Sequence, residues 1–199
     1  MMITMPVSTE KMLRHVKMLV SSSGKSVYTT EQLARLLSIT KPSAKNYIYL
    51  LVKNNLARRL QRGKITFSSD DLVNASQMIE PSYISVSSAL YFHGMVMQVP
   101  AKVFCVTTVN TFDFEETGYY YHRIPSDLFF GFEKLAKADG TFFYVATKEK
   151  AVIDMVYLNL VSPGLLRDVK RYTSKKRMAE LLDRYEGRGS KRMKEVLIR

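Results

Sequence analysis

Ten polar side chains crowd into one short stretch of this chain: Lys41, Ser43, Lys45, Asn46, Tyr49 and Lys53, then Arg58, Arg59, Arg62 and Lys64. Their chemistry is that of a nucleic-acid contact. Lysine and arginine neutralise phosphate, and hydroxyl groups add hydrogen bonds to the sugar-phosphate chain. An asparagine amide can bond bidentately to adenine in a major groove. On these grounds Asn46 is the best base-reading candidate, while Lys45 and the arginines mainly grip phosphate, so double-stranded DNA is the first partner to consider.

The surrounding residues say how such groups would be held. Leu33, Ala34 and Leu37 fall on one helical face, and Ala44, Ile48, Leu51 and Leu56 continue an apolar stripe through a second helix, expected from Lys41 to Asn54. Ala34 is small where the two helices cross, and Ile39 can fill the turn between them. Thr40 can cap the second helix, with Lys41 and Pro42 in its first turn, where proline lacks only a donor already left unpaired. Behind it, Leu56–Gln61 and Lys64–Phe67 flank the turn dipeptide Arg62-Gly63 and predict a two-stranded hairpin. Helix, tight turn, helix and basic hairpin are the order of a winged helix-turn-helix. Ser38 stands where such turns commonly carry glycine. The alternative is a helix-turn-helix used only for protein contacts.

Charge is segregated along the 199 residues, whose net charge is +12. Residues 1–78 hold 12 basic and 4 acidic side chains (+8), residues 79–160 hold 6 and 9 (−3), and residues 161–199 hold 12 and 5 (+7). Two basic ends around an acidic middle draw the chain toward a polyanion. Cys105, the single cysteine, has no disulfide partner, which favours a reducing compartment. No apolar run reaches membrane-span length, and the start lacks signal-peptide features, so a cytoplasmic protein is expected.

Ser8 or Thr9 can cap a first helix running to about Val20, and Val27-Tyr28 reads as a short extended piece. Gly24-Lys25-Ser26 lacks the earlier glycine and preceding strand of a phosphate loop. The charge change near Glu80-Pro81 marks the expected boundary between a domain of residues 1–78 and one of 79–199. In the latter, 79–160 reads as a small mixed α/β unit: a helix capped by Ser85 and stopped at Gly94, strands at Lys102–Thr108, Tyr119–Ile124 and Thr141–Ala146, and a helix capped by Thr147. Basic helices are expected at about 167–172, 175–186 and 190–198. The expected fold class is therefore α+β.

Two stretches go beyond generic pattern. Glu80-Pro81-Ser82-Tyr83-Ile84-Ser85 leading into Ser88-Ala89-Leu90-Tyr91-Phe92-His93-Gly94, and Ala146-Thr147-Lys148-Glu149-Lys150-Ala151-Val152-Ile153-Asp154, resemble the AbiEi antitoxin family, as does the winged helix in front of them. The resemblance covers the chain to about residue 186. It implies a transcriptional regulator within a type IV toxin-antitoxin, phage-defence system. The N-terminal domain would repress its own operon, and the C-terminal domain would counteract a nucleotidyltransferase-like toxin of the AbiEii type. No cofactor is implied, and direct contact with the toxin is left open. The short C-terminal part departs from the family pattern.

The rival from another class is an enzyme acting on nucleic acid or nucleotide through His93, Glu149, Lys150 and Asp154. Against it, Glu149 and Asp154 are poorly aligned on one helix, and no metal-ligand spacing is present among His15, His93, His122 and Cys105. The non-catalytic expectation is that Glu149 favours a helix start, Lys150 is solvated and Asp154 pairs with a nearby cation. Tyr119-Tyr120-Tyr121 alternate across a strand and are expected to pack. Lys170, Arg171, Lys175, Lys176 and Arg177 form a possible second basic patch. It reads first as a solvated face, then as a DNA contact, then as a toxin contact.

Overall fold

The computed structural model describes residues 9–186 and 188–198, so the Ser8 cap lies outside the described residues. Among the described residues the chain is a mixed α+β protein of nine α-helices and two β-sheets. It divides into two compact units. The first runs to Met78 and includes Ala136–Phe142, and the second holds Ile79–Leu135 and the chain from Phe143 onward. Residues 136–142, expected within the second domain, thus group with the first unit.

The first unit contains α1 (Thr9–Ser23), β1 (Val27–Thr29), α2 (Thr30–Leu36), α3 (Lys41–Lys53), β2 (Arg58–Gln61), β3 (Lys64–Thr66) and α4 (Asp71–Met78). The extended piece at Val27–Thr29 proves to be a third strand, pairing antiparallel with β3 in a sheet of order β1-β3-β2. Met12, Val16 and Leu19 of α1, Leu33 of α2, Ile48 and Leu51 of α3, and Tyr28 and Ile65 of the sheet form one buried core. Leu13 of α1 is exposed.

Both helices that precede a turn here end by the same device. Ile39 N–H donates to Ala34 across Ser38, and Leu56 N–H donates to Leu51 across Asn55. Ser38 and Asn55 hold φ of 52° and 56°. This left-handed corner is where glycine is the usual residue, which accounts for the glycine expected at position 38.

The second unit holds β4 (Ser82–Ile84), α5 (Val86–Phe92), β5 (Val103–Thr107), β6 (Phe112–Phe114), β7 (Tyr119–Arg123), β8 (Phe132–Ala136), β9 (Phe142–Ala146) and α6 (Lys148–Tyr157). The helices α7 (Pro163–Lys170), α8 (Lys175–Leu182) and α9 (Arg188–Ile198) follow. The strands lie in the order β6-β7-β5-β4-β9-β8, with β5 and β7 parallel and β4 antiparallel to β5. Tyr119 and Tyr121 are buried and Tyr120 half-buried, as alternation across β7 requires. Cys105 is fully buried in β5. Strands β4, β6 and β8 were not expected. All three residues of β4 are buried, so the alternation that signals a strand is missing there. Helix α7 starts at Pro163 rather than near 167, because Ser162 accepts from Leu165 N–H at 3.3 Å. Helix α8 stops at Leu182 rather than 186.

Two polar groups organise the first unit beyond its apolar core. The buried Gln77 carbonyl accepts from Ser26 N–H at 2.7 Å and Val27 N–H at 3.2 Å, and its amide donates to Gly24 and Phe142 carbonyls. Asp70 Oδ1 accepts from Leu72 N–H at 2.8 Å and Val73 N–H at 3.1 Å at the start of α4, while Oδ2 pairs with Lys137. Burial raises the Asp70 pKa, but the Lys137 hydrogen bond and the two N–H donors outweigh it and hold the carboxyl below its ordinary value. A folded-state pKa below the unfolded one gives stability that is present above about pH 4 and lost as pH falls through the folded value. Asp70→Ala should therefore cost about 1 kcal/mol at neutral pH. In urea denaturation, the gap from wild type should close on acidification below the carboxylate range.

Candidate nucleic-acid interface

Helix α3 presents two faces of opposite character. Thr40 Oγ1 accepts from Ser43 N–H at 3.3 Å and fixes where the helix begins, with Pro42 in the first turn. Ala44, Ile48 and Leu51 are buried, whereas Lys41, Ser43, Lys45, Asn46, Tyr49 and Lys53 are exposed. Tyr49 is 58% exposed, which sets both its ring and its hydroxyl on the outer face of the helix. The Ser43 hydroxyl is shared with Thr40 at 2.9 Å.

In the hairpin, Arg58 and Arg59 are both exposed although they are neighbours on one strand. The register slips between Arg59 and Gln61, so the pairing runs Arg59 with Ile65 and then Gln61 with Lys64. That irregularity turns Leu60 inward, where it is 3% exposed. Arg62 and Gly63 form the turn, with Gly63 at φ 80°.

Between α3 and this hairpin lies a cleft of about 390 Å³ lined by Thr30, Glu31, Lys41, Lys45, Ile48, Arg59, Arg62 and Gly63. Four cationic side chains reach it with a single carboxylate, that of Glu31. The Glu31 carboxylate lies 2.5 Å from Lys41 Nζ. Hydrogen bonding from Lys41 holds the Glu31 carboxyl below its ordinary range, so it is ionised at neutral pH. A notch of this charge matches a phosphate chain.

The ten sequence-predicted residues do not all converge. Lys41, Lys45, Arg59 and Arg62 meet in the cleft, while Ser43, Asn46, Tyr49 and Lys53 line the outer surface of α3. Arg58 is turned to Asp71, at 3.2 Å from Oδ1, and Lys64 Nζ donates to the Met78 carbonyl at 2.5 Å. Sequence reasoning missed Glu31. Its role depends on how α2 and α3 cross, which a first-turn glutamate does not announce.

The second basic patch is also uneven. Lys170 donates to the Val196 carbonyl at 3.1 Å and Arg171 lies 3.7 Å from Asp168. Lys175, Lys176 and Arg177 are exposed in the first turn of α8, where the helix dipole disfavours cations. The Glu149 carboxylate accepts from Ser174 N–H at 2.8 Å at that same helix start.

The four residues considered for catalysis have different partners. Lys150, expected to be solvated, is fully buried, and so is Asp154, whose Oδ1 lies 2.7 Å from Lys150 Nζ. The ammonium donates to the Tyr185 hydroxyl at 2.7 Å and the Leu128 carbonyl at 2.9 Å, and sits 4.7 Å from the Phe130 ring centre. Asp154 Oδ2 accepts from Ser85 at 2.7 Å and Tyr83 at 2.9 Å. The Ser85 hydroxyl is thus spent on Asp154 and does not cap α5. Burial pulls the Lys150 pKa down and pushes that of Asp154 up, and their mutual attraction opposes both shifts. His93 Nε2 lies 2.7 Å from the Ala146 carbonyl, donating to it. Tyr185 and Leu128 also line a cavity of about 750 Å³, walled mainly by apolar residues such as Val156, Leu166 and Met193.

Among the described residues no helix is long and apolar enough to cross a membrane. No protein-family model matches the chain, and no curated protein matches it. Among solved structures it is similar to the crystal structure of the RV2827C protein from Mycobacterium tuberculosis. The TM-score is 0.53 at 16% sequence identity, over 96% of this chain and 77% of that one. At that identity the likeness is one of fold.

The buried pair makes a clear stability prediction. Asp154→Ala leaves the Lys150 ammonium without its counter-charge and should cost about 3–5 kcal/mol. Pairing it with Lys150→Met should recover part of that loss, because the two changes share one interaction. Urea denaturation followed by tyrosine fluorescence checks both, and an additive double variant would contradict the coupling.

Proposed function

We propose that this chain is a DNA-binding transcriptional regulator whose residues 1–78 form a winged helix-turn-helix. In this reading α3 enters a major groove, Asn46 reads a base edge, and the β2–β3 hairpin is the wing astride the phosphate chain. The observation that carries the proposal is the cleft between α3 and the hairpin. Lys41, Lys45, Arg59 and Arg62 surround it, next to an exposed polar face on α3. Lys45, Arg59 and Arg62 have no ion-pair partner among the described residues, so phosphate would not have to displace one. Arg58 and Lys64 become secondary contributors, since Asp71 and Met78 already engage them.

On the strength of the AbiEi resemblance, the full proposal is a cytoplasmic antitoxin that represses its own operon. Residues 79–199 would counteract a nucleotidyltransferase-like toxin. An enzymatic role for His93, Glu149, Lys150 and Asp154 has weaker support. Lys150 and Asp154 face each other inside the second unit, and Glu149 and His93 are committed to backbone groups.

The test is fluorescence anisotropy with duplexes from the upstream region and with random sequence, over a range of salt. Asn46→Ala should lower the preference for the upstream duplex by roughly 5- to 150-fold, the loss of one bidentate base contact worth ~1–3 kcal/mol. Arg59→Ala with Arg62→Ala should weaken all duplexes alike and flatten the slope of log affinity against log salt by about 1.8. Unchanged binding in both variants would overturn the assignment of surfaces.

A further inference from the structure

The one carboxylate in the cationic cleft has no role in the reading so far. Glu31 sits on the first turn of α2, and its carboxylate meets Lys41 Nζ at 2.5 Å. Both side chains are about half exposed, at 57% for Lys41 and 50% for Glu31, so neither is locked by burial. An exposed pair of this kind contributes little to stability. Its position is what matters, because it lines the same cleft as Lys45, Arg59 and Arg62. The carboxylate there engages the cation at the very start of α3.

We propose that Glu31 limits how tightly the cleft grips the phosphate chain. It holds Lys41 away from phosphate, so that every duplex is bound with one phosphate contact fewer than the cations of the cleft could make. This inference rests on the DNA-binding reading and deepens it by naming a residue that acts against binding. The physical logic is that the phosphate term is independent of sequence. Each cation withheld from it lowers affinity for every duplex, while contacts to base edges are untouched. Discrimination is a difference of affinities, so it stays as the base contacts set it, while the affinity for any duplex is held down.

Removing the carboxylate frees Lys41 for a phosphate. Glu31→Gln keeps the size of the side chain and leaves the Thr29–Gln32 capping box that starts α2 in place. With a random-sequence duplex as probe, Glu31→Gln should bind more tightly than wild type. Its slope of log affinity against log salt should steepen by about 0.9, the increment for one added phosphate contact. The increment must depend on the freed lysine. In a Lys41→Gln background, adding Glu31→Gln should leave the slope where Lys41→Gln alone put it.

The outcomes separate cleanly. Wild-type protein that binds no duplex overturns both the DNA-binding reading and this one. Duplex binding by wild type with an unchanged slope in Glu31→Gln overturns the role of Glu31 alone. A slope that steepens equally with and without Lys41 also overturns it, because the carboxylate would then act by general repulsion and not through the lysine.

Discussion

The apolar underside of α3 is the constraint from which the rest of the first unit follows. Leu51 is wholly buried and Ile48 nearly so, in one core with Met12 and Val16 of α1, Leu33 of α2 and Ile65 of β3, and Ala44 is wholly buried too. Such burial removes apolar surface from water at ~25 cal/mol per Å², and only one rotation of the helix about its axis achieves it. With that rotation set, Lys45, Asn46, Tyr49 and Lys53 have nowhere to go but outward. The Thr40 cap fixes the register along the axis, and the left-handed corner at Ser38 fixes the direction from which the helix is entered. The polar surface is thus a by-product of core packing, and a change in the core would move it.

Polar groups inside each unit carry a second layer of constraint. Gln77 satisfies four backbone groups of the first unit, which no apolar side chain could do, so the geometry of its neighbours is specified and not merely compact. In the second unit Lys150 and Asp154 form the equivalent hub and draw Tyr83, Ser85, Tyr185 and the Leu128 carbonyl around one buried charge pair. Breaking such a pair is costly because the partner left behind cannot reach water.

How much of this was readable in the chain depends on the range of the interaction. Local devices were legible. The Thr40 and Thr147 caps, the turn at Arg62-Gly63 and the apolar stripe through Ala44, Ile48 and Leu51 each follow from residues within a few positions of one another. What depends on distant partners was not. Lys150 and Asp154 stand four apart, the spacing that brings side chains together on a helix, but nothing local says that this face is buried under Tyr83 and Tyr185. Arg58 reads in the sequence as equivalent to Arg59, but Asp71 engages it, and nothing near Glu31 in the sequence says that Lys41 meets it. Strand β4 escaped because burial of every one of its residues erases the alternation that marks a strand.

A charged, asparagine-bearing surface held out by a fixed core should find one place on DNA and hold it against moderate salt. Nuclease footprinting of the protein on the DNA upstream of its own coding sequence measures this directly. The account predicts a bounded protected stretch that fades as ionic strength rises. Uniform cleavage across that region at moderate ionic strength, with the protein folded and in excess, would contradict it.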